Sequence, residues 1–236
     1  MNKVISKVLY LKIGKVCLND SLSKKNPEYP SGIKKHPVKN LHLTKVGFRG
    51  DEQGDTLHHG GETKAVLLFC AKSYKKLNEL SGNDFDYDDI AHYGENIVVD
   101  EIDENDICVG DILQIGNAKV EISQPRQPCW KLSANTKTKN MTSIIYNNGL
   151  TGWYARVIDE GEITQNDKII LLKRAYPNLS ISALNRAMVD PHEDIELTKA
   201  AIKCEALGAP FKTSLEGRSK LKDPKNEPFA YHNEPN

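Results

Sequence analysis

The sequence predicts a mainly β protein: an antiparallel or mixed β-barrel followed by a small C-terminal three-helix appendage. Three observations lead there. Short segments with a two-residue apolar period recur through the first three quarters of the chain, without the strand–helix alternation of a parallel sheet. Two of them, Ile112 to Ile115 and Ala118 to Ile122, are separated by Gly116-Asn117, a two-residue hairpin turn where positive φ is expected. After Tyr176-Pro177 the apolar residues switch to helical spacing, at Ile181, Leu184, Ala187 and Met188.

Each element follows from the same rules. Leu9, Leu11 and Ile13 alternate, as do Leu41 and Leu43, which predicts two half-buried strands. Residues 19–37 between them are rich in Ser, Lys, Asn and Pro and read as a loop. Lys64 to Cys70 suits a buried strand, and Tyr74 and Leu77 belong to a short helix ending near Gly82. Gly152 to Ile158 and Lys168 to Lys173 add two strands punctuated by Gly161. In the appendage, Asp190 as N-cap, Pro191 at the first helical position and Glu193 in the first turn predict a second helix, with Gly208 as its stop. A third helix runs from about Pro210 to Leu221. The chain divides into a barrel domain over 1–175, a three-helix domain over 176–223 and a polar tail over 224–236 that is expected to fray. So small a helical unit buries little by itself, so it is expected to dock on the barrel or on a partner.

Composition narrows the class. With 39% hydrophobic and 27% charged residues, the 236-residue chain can build a real core. Its longest apolar runs, Val66 to Ala71 and Ile169 to Leu172, fall far short of the ~20 residues of a membrane span. Lys7, Lys12 and Lys15 interrupt any apolar leader, so a cytoplasmic protein with no membrane partner is expected. The formal net charge is zero, yet residues 1–50 hold eleven Lys/Arg against Asp20 and Glu28. Residues 84–111 hold eleven acids and no Lys or Arg, and read as a solvated face. With no basic helix and no aromatic-rich RNA-binding pattern, no specific nucleic-acid partner is expected. The five cysteines, Cys17, Cys70, Cys108, Cys129 and Cys204, form no CxxC pair. That excludes a zinc ribbon, a thioredoxin-like site and a disulfide framework, and implies a reducing compartment.

Four stretches could carry chemistry. In Gln124-Pro125-Arg126-Gln127-Pro128-Cys129-Trp130-Lys131, two cations flank Cys129 and two prolines stiffen its loop. A reactive thiolate and a buried thiol beside a core tryptophan are both compatible with this pattern. His58-His59-Gly60-Gly61, followed by Lys64, could cup an anion on backbone N–H groups or could be a plain turn. At most one of the two histidines would enter a site, because neighbours on an extended segment point to opposite faces. Asn96, in Tyr93-Gly94-Glu95-Asn96-Ile97, can donate and accept at the edge of a heterocycle. In Gly152-Trp153-Tyr154-Ala155-Arg156-Val157, Arg156 lies on one strand face and Trp153, Ala155 and Val157 on the other.

The combination GDEQGDTLHHGG-x-x-KAV, YGEN, VGD, SQPRQPCWKL and GWYARVIDEG resembles the MOSC domain, named for the C-terminal domain of molybdenum cofactor sulfurases. AYPNLSISALNRAMVDPHED resembles the start of the three-helix domain of YiiM-type MOSC proteins, so the likeness spans roughly residues 40–222. It implies a pyruvate-kinase-barrel-like fold that binds the molybdenum cofactor (Mo-molybdopterin), with Cys129 as the catalytic residue and metal ligand. A soft thiolate suits that metal. The resemblance further implies reduction of N-hydroxylated small molecules such as 6-hydroxylaminopurine, a detoxifying activity that removes the hydroxyl oxygen as water. Electrons would come from a separate reductase, since the chain has neither an iron–sulfur cysteine cluster nor a dinucleotide fingerprint. Cofactor contacts are expected from His59, Gly60, Gly61, Lys64, Asn96 and Arg126, and also from Arg49 or Arg156, arginine being suited to phosphate. A homodimer is compatible with the family. The chain departs from many relatives at Glu62-Thr63, where they carry Pro-Asp. A non-catalytic carrier of the cofactor, or of sulfur as a Cys129 persulfide, is the alternative, and a binding module for another small anion is a third reading.

Overall fold

The computed structural model describes residues 2–25, 27–55, 60–227 and 229–233. The first strand, β1 (Lys3–Ile13), is followed by β2 (Cys17–Asp20), β3 (Glu28–Ser31), β4 (His36–Val38), β5 (Asn40–Thr44) and β6 (Gly47–Phe48). Next come β7 (Val66–Cys70), α1 (Ala71–Ser81), β8 (Ile97–Val99), β9 (Ile112–Ile115) and β10 (Ala118–Pro125). Helices α2 (Lys131–Asn135) and α3 (Met141–Asn148) precede β11 (Trp153–Asp159), β12 (Gly161–Thr164) and β13 (Lys168–Lys173). The chain finishes with α4 (Ile181–Val189), α5 (Ile195–Lys203) and α6 (Ala209–Arg218).

Seven strands close a mixed barrel in the order β13-β9-β10-β11-β7-β8-β1, and β1 returns to β13 to complete the ring. All neighbours are antiparallel except β7 and β8, which run parallel. The β9–β10 hairpin turns at Gly116, where φ is +55°. Closure removes the exposed edges an open sheet would carry. Inside the ring, Val8, Leu68, Ile97, Leu113, Val120, Ala155 and Ile169 belong to one buried cluster.

Strand β1 departs from the expected alternation. The register shifts between Val8 and Tyr10, so Val8 and Leu11, three residues apart, are both fully buried. A bulge supplies the extra residue that a strict two-residue period forbids. Lys12, next in line, is also fully buried and meets the equally buried Glu95 at 2.7 Å. Glu95 also accepts from the Tyr74 hydroxyl at 2.6 Å and the Tyr93 N–H at 3.1 Å. Burial and the Glu95 charge push the Tyr74 phenol well above its ordinary pKa, so it stays a donor.

Most acids of the acidic stretch are solvated as its composition suggests, but three of them are buried. Glu104 accepts from Ser73 Oγ and Gly152 N–H, both at 2.9 Å, and Arg174 grips Asp111 through two N–H groups at 2.9 and 2.6 Å. Glu95, Glu104 and Asp111 are buried anchors that tie this segment to β1, α1, the start of β11 and the end of β13.

Residues 19–37 are also more than a loop, since β2 and β3 pair as a hairpin from Cys17↔Ser31 to Asp20↔Glu28. Helices α2 and α3 lie inside the region read as strands and turns. The α3 sequence is rich in residues with modest helix propensity, and packing decides its state. Met141 and Ile145 join Leu132, Phe69, Tyr74, Leu77 and Tyr93 in a second, smaller core.

Among the C-terminal helices, α4 begins at Ser180, whose Oγ accepts from Ala183 N–H at 3.1 Å. The expected start of the next helix at Asp190-Pro191 lies four residues early, for Asp194 is the cap and accepts from Leu197 N–H at 2.9 Å. Asp190 instead bonds His192 N–H at 3.1 Å in the intervening turn. Gly208 does not stop a helix but starts α6, and its N–H donates to Ser123 O at 2.9 Å. A Cβ there would sit 2.1 Å from Gln124 Oε1, so any larger residue would have to displace that buried side chain. Leu184, Met188, Phe211 and Leu215 share one core with the barrel, on which the helical segment is docked. Among the described residues, no helix is long and apolar enough to cross a membrane.

Replacing Lys12 with Met should leave Glu95 a buried carboxylate without its cation. We expect a loss of about 3 kcal/mol or more in unfolding free energy, measured by urea titration followed by circular dichroism.

Candidate functional site

Four segments meet at one rim of the barrel: residues 31–35, 51–55 with Lys64, 93–96 and 126–131. Cys129 lines the cleft between them and is 6% exposed. Its loop leaves β10 beyond the Pro125–Trp153 pair and is pinned by backbone bonds. Cys129 O accepts from Leu132 N–H at 3.0 Å and Thr142 Oγ1 at 2.9 Å, which fixes where the thiol is presented.

Lys35, Lys64, Arg126 and Lys131 line this cleft, and the first three are buried. Arg126 hydrogen-bonds the Tyr154 phenol. Its Nε and Nη1 are buried with no partner among the described residues. Unmade hydrogen bonds on a buried guanidinium carry a full desolvation cost unless a ligand meets them. Lys64 ends a 3₁₀ turn over Glu62–Lys64. Burial holds its ammonium below the ordinary pKa; Asp55 counters that shift and the Arg126 charge adds to it. Two like charges turned into one cleft beside a cysteine favour an anionic ligand.

The opposite wall is already neutralised. Lys35 clasps Asp51 through both carboxylate oxygens at 2.6 Å, and Gly14 N–H donates to the same carboxylate at 2.9 Å. Asn96 joins them: its Nδ2 donates to Asp51 Oδ2 at 2.8 Å and Lys12 O at 3.2 Å, while its Oδ1 accepts from Leu67 N–H at 3.2 Å. The expectation that Asn96 reads a heterocycle edge therefore needs correcting. Both its amide protons are committed, and it acts as a brace in the cleft wall. Gly94, at φ +80°, makes the bend that sends Glu95 toward Lys12 and Asn96 toward Asp51.

The structure brings together Cys129, Arg126, Lys64 and Asn96, but not every residue expected there. His59 lies outside the described residues. Gly60 and Gly61 precede the Lys64 turn without lining the Cys129 cleft; Gly61, at φ +90°, faces a neighbouring groove. Arg49 is exposed and away from the cleft, where its backbone N–H donates to His42 O at 3.0 Å. Arg156 is also misplaced by the sequence reading. Strand alternation turns it from the core-facing side of β11, where it meets Glu121 at 3.2 Å and Ala206 O at 2.8 Å. It couples the barrel to the helical segment.

Among the lining residues that sequence reasoning missed are Lys35, Asp51, Tyr154 and Tyr231. Asp51 and Tyr154 stood inside motifs already singled out. Tyr231 lies in the stretch expected to fray, yet its carbonyl accepts from Trp130 N–H at 3.0 Å and its hydroxyl from Gln127 Nε2 at 3.1 Å. Behind it, the Arg218 guanidinium lies 4.4 Å over the Phe229 ring, and His232 meets Tyr146 edge-on at 4.7 Å.

With this geometry in view, the comparisons with known proteins are specific. Residues 55–170 match the MOSC domain. A Bacillus subtilis protein, the uncharacterised YflK, is 34% identical over 192 residues, covering 81% of this chain and 83% of its own. The chain belongs to the MOSC family. This MOSC protein is also 31% identical over 153 residues to YiiM of Escherichia coli, covering 61% of this chain and 65% of that protein. The crystal structure of YiiM from Geobacillus stearothermophilus superposes with a TM-score of 0.73 at 26% identity, covering 90% of this chain and 98% of that one. The Escherichia coli YiiM crystal structure, at 20% identity, agrees in fold with a TM-score of 0.71, covering 91% of this chain and 92% of that one. This MOSC protein is thus of the YiiM type, and MOSC domains are associated in general with the molybdenum cofactor.

Two outcomes follow. Millimolar phosphate should stabilise the wild-type protein by about 1 kcal/mol, a melting shift of about 2–4 °C. Arg126→Met should remove that response while melting no lower than wild type in phosphate-free buffer, since it deletes an unsatisfied buried cation. Separately, burial, with the Arg218 charge adding, lowers the His232 pKa from 6.5 to about 4. The packed segment then holds the neutral ring, whereas a released segment takes up a proton below pH 6.5. Docking is thus unaffected above that value and weakens as pH falls from 6.5 toward 4, which loss of amide-exchange protection over residues 229–233 would report.

Proposed function

We propose that this MOSC protein is a molybdenum-cofactor-dependent reductase of N-hydroxylated compounds such as 6-hydroxylaminopurine, with the Cys129 thiolate as protein ligand to the metal. The observation that carries the proposal is Cys129 lining one cleft with the buried cations Lys64 and Arg126, the latter with two nitrogens that have no partner among the described residues. The residues fit the group. Its phosphate matches Arg126 Nε and Nη1 with Lys64 beside them, and its soft metal matches a thiol held at a fixed place in the cleft.

When bound, the cofactor supplies a redox-active metal able to take oxygen from a substrate. Arg126 and Lys64 bind and orient the anionic end, and their own mutual repulsion falls as the ligand charge arrives. Asn96, Asp51 and Lys35 form a neutralised wall that needs no further partner. Burial raises the Tyr154 phenol above its ordinary pKa, so it keeps its proton beside the reacting space. The net conversion of R–NHOH to R–NH₂ and water consumes two electrons and two protons, and the electrons come from a separate reductase protein. A Gibberella moniliformis protein named "Reductase", 33% identical over 144 residues, supports the redox reading, although this chain covers 26% of that protein.

The test is metal analysis joined to activity. Protein from a cofactor-competent host should carry close to stoichiometric molybdenum and reduce 6-hydroxylaminopurine with a dithionite-reduced viologen. Cys129→Ala should lose the metal and the activity while folding normally. Metal and turnover both absent from wild type, or both retained in the variant, would overturn the proposal. A persulfide on Cys129 without turnover would favour a sulfur carrier instead.

A further inference from the structure

The cleft has a second lobe on the outer side of Cys129, with a volume of about 340 Å³, and the proposed reaction assigns it no role. Asp55, Lys64, Lys131 and Tyr154 line it as they line the inner cleft, and the walls of its own come from three parts of the chain: Gln127 and Trp130 beside Cys129, Pro210 and Ser214 on the first turns of α6, and Tyr231 of the C-terminal segment. Residues of the inner wall, such as Asn96, do not reach it.

Two rings in this lobe are held in place before any ligand arrives. Trp130 takes the edge of Tyr29 at 4.9 Å, and the Lys131 ammonium lies 6.0 Å from its ring. Tyr231 stacks on Phe229 at 4.8 Å and is tied at both ends, by its carbonyl to Trp130 N–H and by its hydroxyl to Gln127. Ordered aromatic faces bind flat rings at low entropic cost. The polar groups that belong to this lobe alone include two acceptors. Ser214 gives its proton to Pro210 O at 3.0 Å, and Gln127 spends an Nε2 proton on Tyr231. Ser214 Oγ and Gln127 Oε1 are left as acceptors, which suit the N–H groups of an amino-heterocycle.

We infer that this outer lobe is the substrate subsite and that Tyr231, with Trp130, restricts it to flat heteroaromatic ligands. The inference rests on the reductase reading and deepens it, because Cys129 lines both this lobe and the inner cleft. It makes the C-terminal segment part of the binding machinery. Arg218, which holds that segment through Glu227 O at 2.8 Å, becomes a positioning residue.

The experiment uses the full chain and reads binding without turnover. Adenine serves as the probe and indole fluorescence as the signal, since the only other tryptophan, Trp153, is fully buried. Wild type should show saturable quenching. Tyr231→Ala should weaken adenine binding about tenfold, while Tyr231→Phe, which keeps the ring, should stay within about twofold. Ser214→Trp fills the lobe from the α6 side without touching the C-terminal segment, and should abolish binding. Molybdenum content measured on the same preparations should not change in any of these variants. In loaded enzyme, Tyr231→Ala should raise KM for 6-hydroxylaminopurine with kcat unchanged, and leave KM for acetohydroxamic acid, which has no aromatic ring, as in wild type. No adenine binding to wild type, or binding unaltered in Tyr231→Ala and Ser214→Trp, would overturn the inference and leave the role of Cys129 standing. Wild type without molybdenum would overturn the reductase reading, and the fluorescence result would still decide the subsite.

Discussion

The buried pair of Lys12 and Glu95 is the constraint from which the site follows. A lysine and a glutamate with no solvent contact are tolerated only when each is fully met, and here Tyr74, the Tyr93 N–H and the 2.7 Å contact itself meet the carboxylate. Holding Glu95 in place fixes its neighbour. Asn96 then ties the Lys12 carbonyl, the Leu67 N–H and Asp51 into one unit, so β1, β7 and the 51–55 segment share a single rigid wall. The parallel β7–β8 pair, the exception in an otherwise antiparallel ring, runs directly beneath this wall.

Against that satisfied wall stands Arg126. Lys35 and Asp51 cancel each other, whereas Arg126 Nε and Nη1 are buried with no partner among the described residues. An apo protein is less stable for such an arrangement, and a bound anion recovers the difference. The same logic extends to the outer lobe, whose aromatic walls are ordered by contacts on their far sides. The Cys129 thiol sits where the two lobes meet.

Much of the fold was legible because local and global preferences agree. The Gly116-Asn117 turn, the strands around Val66 to Cys70 and Trp153 to Val157, and the helix ending at Gly82 all appear as read. Failures came where long-range contacts outvoted local pattern. A bulge broke the alternation of β1, and packing against Phe69 and Tyr74 made helices of α2 and α3. Eleven acids in one stretch looked solvated because composition does not reveal that Lys12, Ser73 and Arg174 wait for three of them.

The site divides in the same way. Sequence by itself determined the chemistry on offer: a cysteine just after two prolines with cations close by in the chain, and a pattern characteristic of MOSC domains. Only the tertiary structure decided which charges face the thiol. Arg126 does, whereas Arg156 is turned to Glu121 and the helical segment, and Arg49 lies on the exposed surface. It also decided that Tyr231, in a stretch with no periodic signal, packs beside Trp130. The reason is physical. Residue type sets what a group can do, but its partners and solvent access depend on segments a hundred residues away, which no local pattern encodes.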